Sequence, residues 1–198
     1  MAAFRRREVY ATTGPRITLR FFGGFDYVAA DADASDIADI GYAKGVPMGG
    51  DLVRGADSRP PSFLVRAIKD PLDGNLDRIQ IVKGWLGAEG VSREKILNVA
   101  WSGERALSSD GRLDAVGDTV DRRAATYTND IGAPELSAVW TDPEFDPAVR
   151  AFYYARVIQI PTPRHSLVDA VRAGATPPPD QPEVIQERAF SSPIWYAP

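Results

Sequence analysis

The sequence predicts an all-β fold, an antiparallel β-sandwich with two or three short helices. Two observations carry this. Seven or eight short runs alternate apolar and polar residues, and clusters of Gly, Pro, Asp, Asn and Ser separate them. Only short segments repeat apolar residues at helical spacing.

The elements follow in chain order. Residues 1–16 read as the last turn of a helix, a short turn and the approach to a strand. A compact domain rarely opens on a helix end with nothing to pack against. The segment 1–15 is therefore expected to be a seam, the helix remnant of a missing barrel domain, and residues 16–198 the β-sandwich domain. Residues 16–22 alternate, with Ile17, Leu19 and Phe21 on one face, and Gly23 and Gly24 break the run. A helix is expected over 35–42 behind a Ser35 cap. Residues 62–69 and 76–86 form the next strands, separated by the turn cluster 70–75. Strands follow at 95–101, 124–128 and 136–140. Residues 151–160 form the longest alternating run, in which Arg156 shares a face with Phe152 and Ile158 and so needs a partner. A helix over 166–172 has Ser166 as its cap and Gly174 just past its end. Residues 176–182 form a stiff proline-rich connector within the sandwich, and residues 192–196 the last strand.

Composition narrows the chemistry. The 198 residues carry a net charge of −4, which argues against a nucleic-acid partner because phosphate neutralisation needs a basic face. Arg5, Arg6 and Arg7 form the one basic cluster, suited to a helix C-terminus. Cysteine is absent, which removes thiolate ligands, disulfides and cysteine nucleophiles. No window approaches the roughly 18 apolar residues of a membrane span. No targeting signal is visible, and the compartment stays open because an export signal would lie upstream.

Motifs that carry chemistry are sparse. His165 is the single histidine, and no Gly-x-Ser-x-Gly accompanies it, so it is expected at a surface helix entry. The acidic run 31–36 lacks the glycine and glutamate of a calcium loop and reads as a solvated loop. Residues 45–51 are glycine-rich without the lysine of a phosphate-binding loop, and read as a tight turn. Asp142, Glu144 and Asp146 fit Asp-Pro turns. Trp85, Trp101, Trp140, Trp195, Tyr153 and Tyr154 are core packing or, alternatively, a carbohydrate platform. The seam differs. Thr12, Thr13 and Arg16 gather two hydroxyls and a guanidinium around Gly14 and are the candidate substrate-binding residues. The alternative is that the hydroxyls satisfy turn backbone and Arg16 pairs with an acid across the seam. No catalytic or metal-binding residue is identified.

Several segments together resemble the C-terminal portion of a bacterial family of uncharacterised proteins, domain-of-unknown-function family 3604. They are RREVYATTGPR (6–16), GVPMGGDL (45–52), LDRIQIVKGW (76–85), YTNDIGA (127–133), AVWTDP (138–143), RAFYYARV (150–157), IPTPR (160–164) and IQERAFSSPIWY (185–196). The resemblance implies a longer protein whose N-terminal part is similar to PHP (polymerase and histidinol phosphatase) metal-dependent hydrolases. It implies that the divalent metals belong to that part and that this chain, holding none of the ligand segments, is inactive alone. Its partner would be that missing N-terminal catalytic domain. Without it, Phe4, Val9 and Tyr10 would form an apolar seam prone to self-association. The alternative is a free-standing β-sandwich that binds a carbohydrate or protein partner.

Overall fold

The computed structural model describes residues 1–53 and 59–198. In chain order the elements are α1 (Ala2–Arg5), β1 (Tyr10–Thr12), β2 (Thr18–Gly24), a 3-10 turn (Ala29–Asp33), α2 (Ile37–Lys44), β3 (Gly45–Pro47) and β4 (Asp51–Val53). Then come β5 (Ser62–Ile68), β6 (Leu76–Leu86), β7 (Ser92–Trp101), β8 (Glu135–Thr141) and β9 (Ala151–Gln159). The chain ends with β10 (Thr162–Pro163), α3 (His165–Ala173), β11 (Val184–Ile185), β12 (Arg188–Ser191) and β13 (Ile194–Ala197).

Two sheets pack face to face. The smaller has the order β3-β2-β5-β8, all antiparallel. The larger is centred on β9, which pairs with β6 on one edge, and β6 pairs in turn with β7. The other edge of β9 is shared: β12 pairs with Arg156–Ile158 and β13 with Ala151–Tyr153. β1 lies outside β12, and β4 runs parallel to β13. A separate ribbon joins β10 and β11.

Strand alternation explains the core. Along β9 the burial alternates residue by residue, so Tyr153, Ala155 and Val157 face inward while Phe152, Tyr154, Arg156 and Ile158 face outward. Ile17, Leu19 and Phe21 share the buried face as their spacing requires. Phe63 on β5 is the centre of the packing, with ring centroids 5.7 Å from Phe21, 6.0 Å from Trp140 and, across the sandwich, 4.4 Å from Tyr153. A second cluster of Phe22, Tyr27, Ile37 and Leu64 lies under α2 and covers the outer face of the smaller sheet. Gly41 lets α2 approach, since a Cβ there would meet the Phe22 ring at 2.5 Å. Arg156 finds its partner in Gln80, at 2.9 Å.

Several expected elements differ. Residues 124–128 do not form a strand: the Asp121 carboxylate accepts the amides of Arg123 and Ala124, and this Asx-type turn outweighs the strand propensity of the run. The expected terminal strand 192–196 starts two residues late, as β13 (Ile194–Ala197), because Ser192 and Pro193 lie in the gap after β12 and the Pro193 ring removes a ladder donor. Neither serine caps its helix by a side chain. Asp36 precedes α2 and Arg164 precedes α3, both without a side-chain cap, so Ser166 lies inside the helix. Gly174 does end α3 in the left-handed conformation, at φ 63°.

Candidate functional site

The seam meets the sandwich at its edge. Arg7 turns the chain at φ 60°, and β1 then adds to β12 with Thr12 opposite Ala189. The Thr13 amide continues the pairing to the Arg188 carbonyl at 3.0 Å. The Thr13 hydroxyl accepts the Arg188 amide at 2.9 Å and donates to the Glu187 carboxylate in a short contact. Both hydroxyl functions are therefore engaged within the fold. Gly14 is packed beside Glu187, 3.6 Å from where its Cβ would stand.

Beyond Thr13 the surface opens into a cleft of about 600 Å³. Its walls come from the seam, from the 121–128 turn through Tyr127, from the start of β10, and from α3. His165, Val168 and Arg172 stand at i, i+3 and i+7 on α3, a single helical stripe, and all three line the cleft. Leu167 and Ala170, on the other side of the helix, are buried and fix it to the body. Tyr127 donates to Asp73 at 3.2 Å, and burial together with that carboxylate pushes its phenol up to about 12. Sequence reasoning placed Tyr127 in a strand and did not connect it to the seam. The signal was the Asx-forming Asp121 five residues before the Thr126 bridge.

The three candidate seam residues fall at different places. Thr13 lines the cleft. Thr12 is half-buried in β1. Arg16 is exposed, and its backbone amide, rather than its guanidinium, bonds the Asp70 carboxylate at 2.7 Å. His165 is the first residue of α3 and exposed, as its flanking prolines suggest.

Two buried ionic clusters lie elsewhere, and neither was visible in the sequence. Asp142, at the end of β8, takes Lys83 Nζ at 2.5 Å and the Tyr153 hydroxyl at 2.7 Å on Oδ2, and the Glu144 amide at 3.0 Å on Oδ1. The Asp-Pro turn expected at Asp142 is thus also an inter-sheet tie. Burial, and then the Asp142 charge, raise the Tyr153 phenol far above its ordinary range. Asp77 is enclosed by Arg105 at 2.7 Å, Arg78 at 2.9 Å and Gln186 at 3.1 Å. Every oxygen is answered in both clusters, which suits structural roles.

The remaining motifs resolve into packing. Asp31 of the acidic run is buried and paired with Lys44 at 2.7 Å, not solvated, because it closes the 3-10 turn by accepting the Val28 amide. Gly49 of the glycine-rich run has φ +86°, with the Arg7 carbonyl 2.2 Å from a would-be Cβ. Among the aromatics, Tyr153 is core and Trp140 packs on it, whereas Trp195 is 43% exposed. Among the described residues no three His, Cys, Asp or Glu side chains gather as a metal would require, so the described residues do not fit a metal centre. No described helix is long and apolar enough to cross a membrane.

A family model described as "Protein of unknown function (DUF3604)" matches residues 1–198. No curated protein and no solved structure matches the chain.

Proposed function

The chain belongs to the DUF3604 family, and from that membership we propose that it is the β-sandwich partner of a PHP-like metal-dependent hydrolase, phosphoesterase-like in substrate class. In this role it stabilises the hydrolase domain and walls one side of the substrate cleft, and it is not catalytic alone. The observation that carries the proposal is the state of the N-terminal segment. Helix α1 buries none of its residues, leaving Phe4 74% exposed and Tyr10 41% exposed on the same seam that leads to the cleft. Exposed apolar side chains on the segment that runs toward the cleft are what a docked catalytic domain would cover while leaving the cleft open. No step of the hydrolysis is assigned to a metal on this chain, since its described residues do not fit one.

The test is hydrogen exchange on the purified chain, with and without the PHP-like domain of a longer family member. The expected result is slowed exchange across α1 and β1, lost in Phe4→Asp. Unchanged exchange in those segments overturns the docking.

One observation favours a second function, a free-standing carbohydrate-binding module. On the outer face of the larger sheet, Trp195 and Phe152 are cross-strand partners with ring centroids 5.3 Å apart, beside a groove of about 710 Å³. Saturable glycan binding that disappears in Trp195→Ala would favour the module.

A further inference from the structure

We propose that the seam cleft binds an oxyanion of the phosphate class, held by the guanidinium groups of Arg164 and Arg172. The cleft is lined by two acidic residues, Asp73 and Glu187, and two arginines, Arg164 and Arg172, so its formal charge is balanced and the two sets differ in which already have partners. Asp73 Oδ1 is fully supplied, by the Gly74 amide at 2.7 Å, Gln159 Nε2 at 2.6 Å and the Tyr127 hydroxyl. Glu187 takes the Thr13 hydroxyl. Neither carboxylate forms an ion pair with an arginine of the cleft, and neither Arg164 nor Arg172 has a hydrogen-bond or ion-pair partner for its guanidinium among the described residues. Each guanidinium carries five donors and no acceptor, so these two side chains call for an acceptor that no described residue supplies.

The backbone fixes where both side chains start. The Arg164 amide bonds the Glu183 carbonyl at 2.8 Å, and its own carbonyl accepts the amides of Leu167 and Val168 at 3.0 and 3.1 Å. Arg172 sits two turns along α3 on the stripe that faces the cleft. With the chain at −4 overall, no general field draws anions here; the attraction is local. A planar guanidinium fork suits the tetrahedral oxygens of a phosphate better than a point charge would. Thr13 keeps Glu187 turned to the seam, where its second oxygen can accept a hydroxyl from the alcohol part of a phosphate monoester. The cleft volume, about 600 Å³, suits a small ester.

The role of this site, holding a substrate or product phosphate, rests on the hydrolase-partner proposal; the binding itself is a property of this chain alone. The experiment is calorimetric titration of the full chain with inorganic phosphate and, separately, with glycerol phosphate. Saturable binding of both is expected, the ester binding more tightly through Glu187. Arg164→Gln and Arg172→Gln should each weaken phosphate by about tenfold or more, the loss of a charge-assisted hydrogen bond. Arg112→Gln, outside the cleft, should leave it unchanged, and unaltered melting curves show that each variant folds. No saturable binding of phosphate, or binding of phosphate or ester that survives both cleft substitutions, overturns the proposal. Phosphate binding without domain docking leaves this site standing and removes the hydrolase-partner proposal; docking without phosphate binding does the reverse.

Discussion

Lys83 and Asp142 form a buried ion pair that joins the two sheets, Nζ to Oδ2 at 2.5 Å, with the side chains 9% and 1% exposed. Lys83 lies on β6 near the middle of the larger sheet, and Asp142 closes β8 at the edge of the smaller one. The same oxygen receives the Tyr153 hydroxyl, so one carboxylate organises two donors from the facing sheet.

Removing that carboxylate should therefore be costly. Asp142→Ala leaves an ammonium buried without its partner and should destabilise the chain by about 3–5 kcal/mol in urea denaturation. Lys83→Met should cost less, because Asp142 keeps Tyr153 and the Glu144 amide. Equal losses for the two would contradict the asymmetry.

Gly84 and Gly49 make room for different neighbours. At Gly84 a Cβ would stand 2.2 Å from the Phe152 ring. Gly84→Ala should lift that ring from the sheet and cost roughly 1–3 kcal/mol. At Gly49 the obstacle is the Arg7 carbonyl and the backbone is left-handed, so Gly49→Ala should cost at least as much, about 1–3 kcal/mol, with the turn itself displaced. Thermal melts of both variants check this.

Alkaline pH should loosen the fold. Tyr127 is raised from an ordinary value of 10.0 to about 12, and Tyr153 further still. A phenol that keeps its proton longer when folded adds stability below the unfolded value, and that stability drains away as pH rises from 10 toward 12. The melting temperature should fall through this window, and Tyr127→Phe should flatten part of the fall. Tyrosinate absorbance from Tyr153 should appear only on unfolding.

Thr13 ties the seam to β12 and orients Glu187. Thr13→Val removes both hydroxyl bonds and should cost about 1 kcal/mol while freeing the Glu187 carboxylate, which lines the cleft, from its tie to the seam. Amide exchange at Arg188 should speed up in the variant.

The sandwich was legible because β9 and the first half of β2 alternate cleanly, while β5 and β6, buried along most of their length, are apolar-rich runs bounded by turn residues. Short edge strands such as β1, β3 and β4 escaped notice, since three residues carry no period of their own and form only because a neighbour offers an unpaired edge. The cleft was half legible. Its seam residue Thr13 stands out by composition, but Tyr127, the α3 arginines Arg164 and Arg172, and Glu187 come from three separate stretches that only the tertiary fold assembles. The Lys83–Asp142 tie was hidden for the same reason, being 59 residues apart in the chain.

The most direct measurement is metal content and aryl-phosphate hydrolysis by the purified chain in the presence of Mn²⁺ or Zn²⁺. A sandwich that serves a separate hydrolase domain predicts no stoichiometric metal and no turnover above buffer. Turnover that rises with added metal and is lost on chelation would contradict it.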